Sequence, residues 1–278
     1  MALTEIVVKE TGHNGLKFPE HDLAHRLLGD LHGLELGPSS HNSFNLQGSQ
    51  SVAPADDFEF YKNGQVTQNG KYIQPDIVGE ADSIPVAADS QDYVLSSHVF
   101  EHIPDIFRAL VEWVRVLRDR GYVFMIVPQR DALDSDRGRA LTTYEELETA
   151  FNEGYTPDTM PEERTKAAGG SRGHYWVFTS ESLKNIIERF TDVLAIDHQA
   201  SLQLVEEEDP DKKVGNGFCL VYRVIKMRKP EPIPEDEQKL VDDLVSHGLL
   251  DVPVEENLTT SNEPEVARPK KATRKKKV

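Results

Sequence analysis

Three histidines stand where proton transfer or metal binding is chemically available. His98 and His102 bracket the stretch SSHVFEH, with Glu101 directly before His102, and His174 lies in GHYWVF. A neutral imidazole accepts a proton near neutral pH, so each is a candidate general base, and His174, placed after a polar insertion, is the preferred one. Between them the segment QRDALDSDRGRALTT carries Asp131, Asp134 and Asp136. Together with His174 these carboxylates offer the ligands a divalent cation needs to polarise a hydroxyl. Plainer roles stand beside these: His102 holding a corner by hydrogen bonds, and a solvated acidic loop. Gln129, Arg130 and Asp131 follow a buried-looking apolar run and should face a ligand, and Tyr175 and Trp176 would suit stacking on a sugar ring, although aromatic runs are more often core.

These residues need a scaffold, and Asp76 to Pro128 supplies its centre. Two apolar runs of strand character, Tyr93 to Leu95 and Tyr122 to Val127, flank a helix in which Ile106, Leu110, Trp113 and Leu117 share one face. Strand, crossover helix and second strand make a βαβ unit, and ligands of parallel sheets sit at the carboxyl ends of the strands. SSHVFEH falls at such an end.

Upstream, residues 1–18 read as an arm, and EHDLAHRLLGDLHG as a helix with Leu23, Leu27 and Leu28 on one face. GLELGPSS then has the form of a first strand with an acidic end and a glycine turn. Gly37 there lacks a Cβ and permits close backbone approach. A second strand is expected near Ser51 to Ala53 and a third at Asp76 to Val78. Downstream, Thr142 or Thr143 caps a helix, and residues 155–173, rich in Pro, Gly and charge, form an insertion; a lid or acceptor element over 142–175 is expected. Ser180 caps a further helix bearing Leu183, Ile186, Ile187 and Phe190, followed by strands at Val193 to His198 and Phe218 to Val224. The domain should span 19–227. Residues 228–278 read as a Pro-rich linker, one short helix and a basic disordered tail.

Composition narrows the functions. Of 278 residues, 48 are acidic and 31 basic, a formal charge of −17, so the main body repels a nucleic-acid backbone. No apolar run is long enough to span a bilayer, and MALTEIVVKE is not a secretory leader, so a cytoplasmic protein is expected. The one cysteine, Cys219, excludes an intramolecular disulfide and lies in the apolar run FCLVYRV, where a small core residue belongs.

Taken in order, GLELGPSS, GEADSIPVAADSQDYVLSSHVFEHIPD and EWVRVLRDRGYVFMIVP resemble the class I S-adenosylmethionine-dependent methyltransferases of the type 11 group, over about Leu31 to Val224. The resemblance implies an α/β, doubly wound, Rossmann-like seven-stranded sheet with an antiparallel last strand. It implies that S-adenosylmethionine is held by Glu35, Gly37, Pro38 and Ser39 after the first strand, by Glu80, Ala81 and Asp82 at the adenine edge, and by Ser97 and His98 over the reacting methyl. Between Glu80 and Asp82 as acceptor for the adenine amine the choice stays open. The second strand departs from the family pattern: Ala53 stands where a ribose-binding carboxylate is expected, with Asp56 and Asp57 further on. A nicotinamide dinucleotide is disfavoured, because the first turn lacks the three spaced glycines its pyrophosphate needs.

Methyl transfer is an in-line displacement that removes a proton when the acceptor is a hydroxyl. The expected activity is therefore O-methylation of a saccharide or small-metabolite hydroxyl, with a histidine base drawn from His174, His98 and His102 and a small-molecule or glycan acceptor. A divalent cation at Asp131, Asp134 and Asp136 is a further possibility. The competing expectations are N- or C-methylation of another small molecule, and a regulator that binds the cofactor without turnover.

Overall fold

The computed structural model describes residues 21–38, 42–54 and 73–227, with the backbone of two short strands before them and the isolated positions Asn63 and Val66. The chain divides into two compact units, 1–228 and 229–278. The second lies outside the described residues, and with it the expected short helix and basic tail. In the region read as an arm, β1 (Val8–Glu10) pairs antiparallel with β2 (Lys17–Pro19).

Seven strands form one sheet: β3 (Gly33–Leu36), β4 (Ser49–Ala53), β5 (Ile77–Val78), β6 (Gln91–Ser97), β7 (Leu117–Pro128), β8 (Ala200–Glu208) and β9 (Gly217–Lys226). Their spatial order is β5-β4-β3-β6-β7-β9-β8. The first five run parallel, and β9 is antiparallel to both its neighbours. Side-chain alternation sends the two faces of the sheet into two cores. Leu34, Val94, Val123 and Met125 pack toward α2 (Ile106–Val116), α3 (Tyr144–Glu153) and α5 (Ser180–His198). Tyr93, Leu95, Phe124 and Ile126 face the other way, onto Leu23, Ala24 and Leu28 of α1 (Asp22–Leu28).

Helix α2 begins where Asp105 caps it, accepting from the Arg108 amide at 3.0 Å, and buries Ile106, Leu110 and Trp113. Leu117, expected on the same face, instead starts β7, where it pairs with Gln91. Thr143 caps α3 in a reciprocal capping box with Glu146. Within the insertion, α4 (Glu162–Ala167) is a short helix. Two sequence expectations need correction. Thr179, not Ser180, caps α5, and Val193 to His198 is the last part of that helix rather than a strand. The reason is periodic: Ile187, Phe190 and Leu194 lie three and four residues apart and are all buried, whereas Ile196 is 80% exposed. The chain turns at Gln199, which adopts φ 50°, and the strand starts at Ala200.

Candidate active site

The parallel strands open into a cavity of about 450 Å³ at their carboxyl ends. Its walls come from Leu36 and Gly37 after β3, from Val52, Ala53 and Pro54 at the end of β4, from Gly79 to Asp82 after β5, and from Ser97 to Val99 after β6. His102, Ile103, Pro104 and Arg108 close one side, and Thr156, Pro157 and Arg172 of the insertion close another. Gly37 has φ +55°, and a Cβ there would lie 2.9 Å from a Val99 methyl, so glycine both makes the turn and keeps the corner close.

The two carboxylates after β5 are differently engaged. Glu80 is held in a two-point ion pair by Arg172, at 2.9 and 2.7 Å. Asp82 lies 3.9 Å from Arg108, and burial lifts its pKa above the ordinary carboxylate value against the pull of that arginine. The backbone of the same segment is anchored from below, because Trp113 Nε1 of α2 donates to the Ala81 carbonyl at 2.8 Å.

Beneath His98 lies a fully buried carboxylate. Glu101, in the 3₁₀ turn Phe100–His102, is 0% exposed, and neither of its oxygens has a hydrogen-bond partner. Three imidazoles surround it: His98 Nδ1 and His102 Nε2 at 3.7 Å, and His174 Nε2 at 3.8 Å. The far nitrogens of the last two are engaged, His102 Nδ1 with the Arg172 carbonyl at 2.8 Å and His174 Nδ1 with Asp136 at 2.5 Å. Asp136 is itself buried and accepts from Arg139 at 2.9 Å. His98 holds the left-handed backbone conformation at φ 53°, costly for a residue with a Cβ, and its Nε2 is buried without a partner.

The structure gathers some of the expected residues and scatters others. Gly37, Glu80, Ala81, Asp82, Ser97, His98 and His102 all line the cavity. Glu35 and Pro38 are buried beside it but form no part of its wall, and Glu35 takes a 3.4 Å hydrogen bond from Ser43. Ser39, Asp56 and Asp57 lie outside the described residues. The residues expected on the acceptor side lie off the cavity wall. Tyr175 and Trp176 are core residues, 0% and 1% exposed, with Trp176 Nε1 bonded to the Ile103 carbonyl at 2.7 Å, so no ring face is left for a sugar. Gln129 turns to Asp209, and Arg130 and Asp131 pair with each other at the surface, away from the cavity wall. The three aspartates do not converge: Asp131 is held by Arg130 and Asp134 by Arg137, while Asp136 alone reaches His174. His174 lies behind the wall rather than on it. Sequence reasoning missed Arg108 and Arg172 and the Glu101 carboxylate as the hub of the histidines, of which only the Glu101-His102 adjacency gave a signal; it grouped Asp136 with His174 as ligands of one cation rather than as a hydrogen-bonded pair.

A sheet in which five parallel strands are followed by an antiparallel hairpin, with a ligand cavity at the carboxyl ends beneath a glycine turn, is the class I methyltransferase fold. Residues 31–125, which hold the cavity-forming strands, match the family model described as a methyltransferase domain, so the chain contains an S-adenosylmethionine-dependent methyltransferase domain of the type 11 group. No curated protein matches it. Solved structures similar to it include a methyltransferase from Thermotoga maritima, described as a possible histamine N-methyltransferase (16% identity, 74% of this chain and 87% of that one, TM-score 0.41). A methyltransferase from Methanosarcina mazei is 15% identical over 74% of this chain and 99% of its own, with TM-score 0.45. The putative methyltransferase of Haloferax volcanii, solved in complex with the Trm112 methyltransferase activator, is 15% identical over 74% and 89%, with TM-score 0.42.

The cavity residues fit S-adenosylmethionine, which supplies an electrophilic methyl on a sulfonium. The volume is in the range of small-molecule sites, the backbone at Gly37 is approachable, and Glu80 and Asp82 offer acceptors for an adenine amine beside apolar walls at Val52, Ala53 and Ile103. One feature departs: β4 ends in Ala53, and among the described residues no carboxylate follows directly at that strand end for ribose hydroxyls. No helix among the described residues is long and apolar enough to cross a membrane.

Proposed function

We propose that the chain methylates a hydroxyl oxygen of a small acceptor, saccharides included, with a histidine as general base. The observation that carries this reading is His98. It stands on the cavity wall directly after Ser97 at the end of β6, its Nε2 has no partner among the protein groups, and its backbone is held in a costly conformation. An imidazole placed in that way is suited to receive a proton from a hydroxyl as its oxygen attacks carbon. An amine that is already neutral needs no such base to attack. His98 is a better choice than His174, whose Nδ1 is committed to Asp136 and which does not line the cavity.

The remaining groups position and exclude water. Ser97 and Val99 fix the corner, Arg172 ties the insertion to Glu80 across the mouth, and Asp82 remains the less engaged of the two acceptors for the adenine edge. Calorimetry with S-adenosylmethionine and its demethylated product should show binding of both. A labelled methyl donor offered with glycans, phenols and amines should then label hydroxyl compounds. Exclusive labelling of amines would overturn the reading. In the His98→Ala variant, kcat should fall by roughly 10²- to 10⁴-fold, with donor affinity changed far less.

A further inference from the structure

We propose that Glu101, His102 and His174 form a binding site for a divalent transition-metal ion of the zinc type, beside the methyl-transfer cavity. The protonation pattern of the cluster carries the inference. A carbonyl only accepts, so the 2.8 Å contact of His102 Nδ1 with the Arg172 carbonyl puts the proton on Nδ1 and leaves Nε2 as a bare lone pair. Asp136 already accepts from Arg139, so His174 Nδ1 is likewise the donor in its 2.5 Å contact, and its Nε2 is bare as well. Both nitrogens lie 3.7–3.8 Å from one oxygen of Glu101, whose two oxygens are fully buried and without a hydrogen-bond partner. Two lone pairs and a buried carboxylate converge, with His98 Nδ1 a third imidazole nitrogen 3.7 Å from the same oxygen, and no lysine or arginine among the described residues pairs with Glu101.

A proton does not resolve this arrangement. An imidazolium N–H bonded to a carboxylate closes to about 2.7–2.9 Å. The observed separations are 3.7 Å for His102 and 3.8 Å for His174, beyond any hydrogen bond. A tetrahedral zinc ion with bonds of about 2.0–2.2 Å holds its donors about 3.4 Å apart. The ligand atoms of Glu101, His102 and His174 all lie within 4.8 Å of one another, so a contraction of at most about 1.4 Å seats the ion.

The surroundings are those of a metal site as well. Each histidine donates its outer N–H to a carboxylate or a carbonyl, which fixes the tautomer and aims the other nitrogen inward. The two rings cross edge to face at 4.7 Å, as two ligands of one ion can. Two nitrogens and one carboxylate oxygen leave the fourth position open, the pattern of catalytic rather than structural zinc. His102 and His98 connect the cluster to the cavity wall. Use of that open position by an acceptor oxygen rests on the hydroxyl reading above; the site itself does not.

The test uses the full chain without an affinity tag, stripped with a chelator and titrated with Co²⁺ in the absence of S-adenosylmethionine. One Co²⁺ per chain, with visible absorption of tetrahedral type that one equivalent of Zn²⁺ abolishes, is the expected result. His174→Ala should abolish the band, and Asp136→Asn, which keeps all three ligands, should weaken Co²⁺ binding by roughly 10- to 100-fold. No stoichiometric Co²⁺ band and no Zn²⁺ retained through gel filtration would overturn the site, as would a band unchanged in His174→Ala. Because the readout is absorbance without donor or acceptor, failure here leaves the methyl-transfer reading standing, and failure of the hydroxyl screen leaves this one standing.

Discussion

At the scale of single residues, Glu35 separates folding from ligand binding. It is 4% exposed, and burial raises its carboxyl from the ordinary 4.5 to about 7 despite hydrogen bonds from Ser43. A carboxyl whose folded pKa lies above its unfolded value favours the folded state in its protonated form. That stabilisation is complete below about pH 4.5 and is lost as pH rises through about 7. The loss on passing to pH 8 is on the order of 3 kcal/mol. Urea unfolding at pH 5 and pH 8 should therefore show wild type losing stability on this account, and Glu35→Gln losing less by an amount of that order. Equal pH slopes for the two proteins would mean that Glu35 is ionised in the folded state. The histidine corner teaches the complementary lesson. The place of His98 and His102 on the cavity wall was legible because they follow an apolar strand run. Asp136 and His174 were legible as possible ligands of one cation, but their direct bond was not, since it joins residues 38 apart through the path of an insertion that has no apolar period.

At the scale of elements, helix α2 does more than cover the sheet. Its Trp113 is fully buried and donates to the Ala81 carbonyl, so the helix holds the segment that carries Glu80 and Asp82. Trp113→Phe keeps an aromatic ring but leaves that carbonyl without its donor. It should cost about 1–3 kcal/mol in stability and weaken S-adenosylmethionine binding severalfold. If calorimetry shows unchanged affinity in a destabilised protein, the anchor serves the core alone. Most elements could be read from the chain because the βαβ centre states its periods clearly. The pattern of Ile106, Leu110 and Trp113 holds in the structure, as do the strands at Ser51 to Ala53 and Tyr122 to Val127. What failed was Val193 to His198, where short apolar spacing is ambiguous between strand and helix and the buried series Ile187, Phe190 and Leu194 decides for the helix. Tyr175 and Trp176 failed for a related reason: aromatic side chains suit both stacking and cores, and sequence does not separate them.

At the scale of the whole molecule, the excess of acidic residues acts on the reaction through its charged ligand. The formal charge is −17, while the cavity wall itself balances Glu80 and Asp82 with Arg108 and Arg172. The long-range field therefore comes from the body and not from the site. S-adenosylmethionine carries a sulfonium, an ammonium and a carboxylate, a net charge of +1, and the demethylated product is neutral overall. An acidic body favours the first over the second, and by more at low salt, where the screening length is about 30 Å, than at 0.15 M, where it is about 8 Å. Calorimetry across that range should show donor affinity falling with salt severalfold more than product affinity. The consequence is kinetic as well as thermodynamic, because a field that draws in the cation and is indifferent to the product aids exchange of one for the other after each turnover. Parallel salt dependences for the two ligands would assign the discrimination to the local pairs at Glu80 and Asp82 instead, and Asp82→Asn would then remove it.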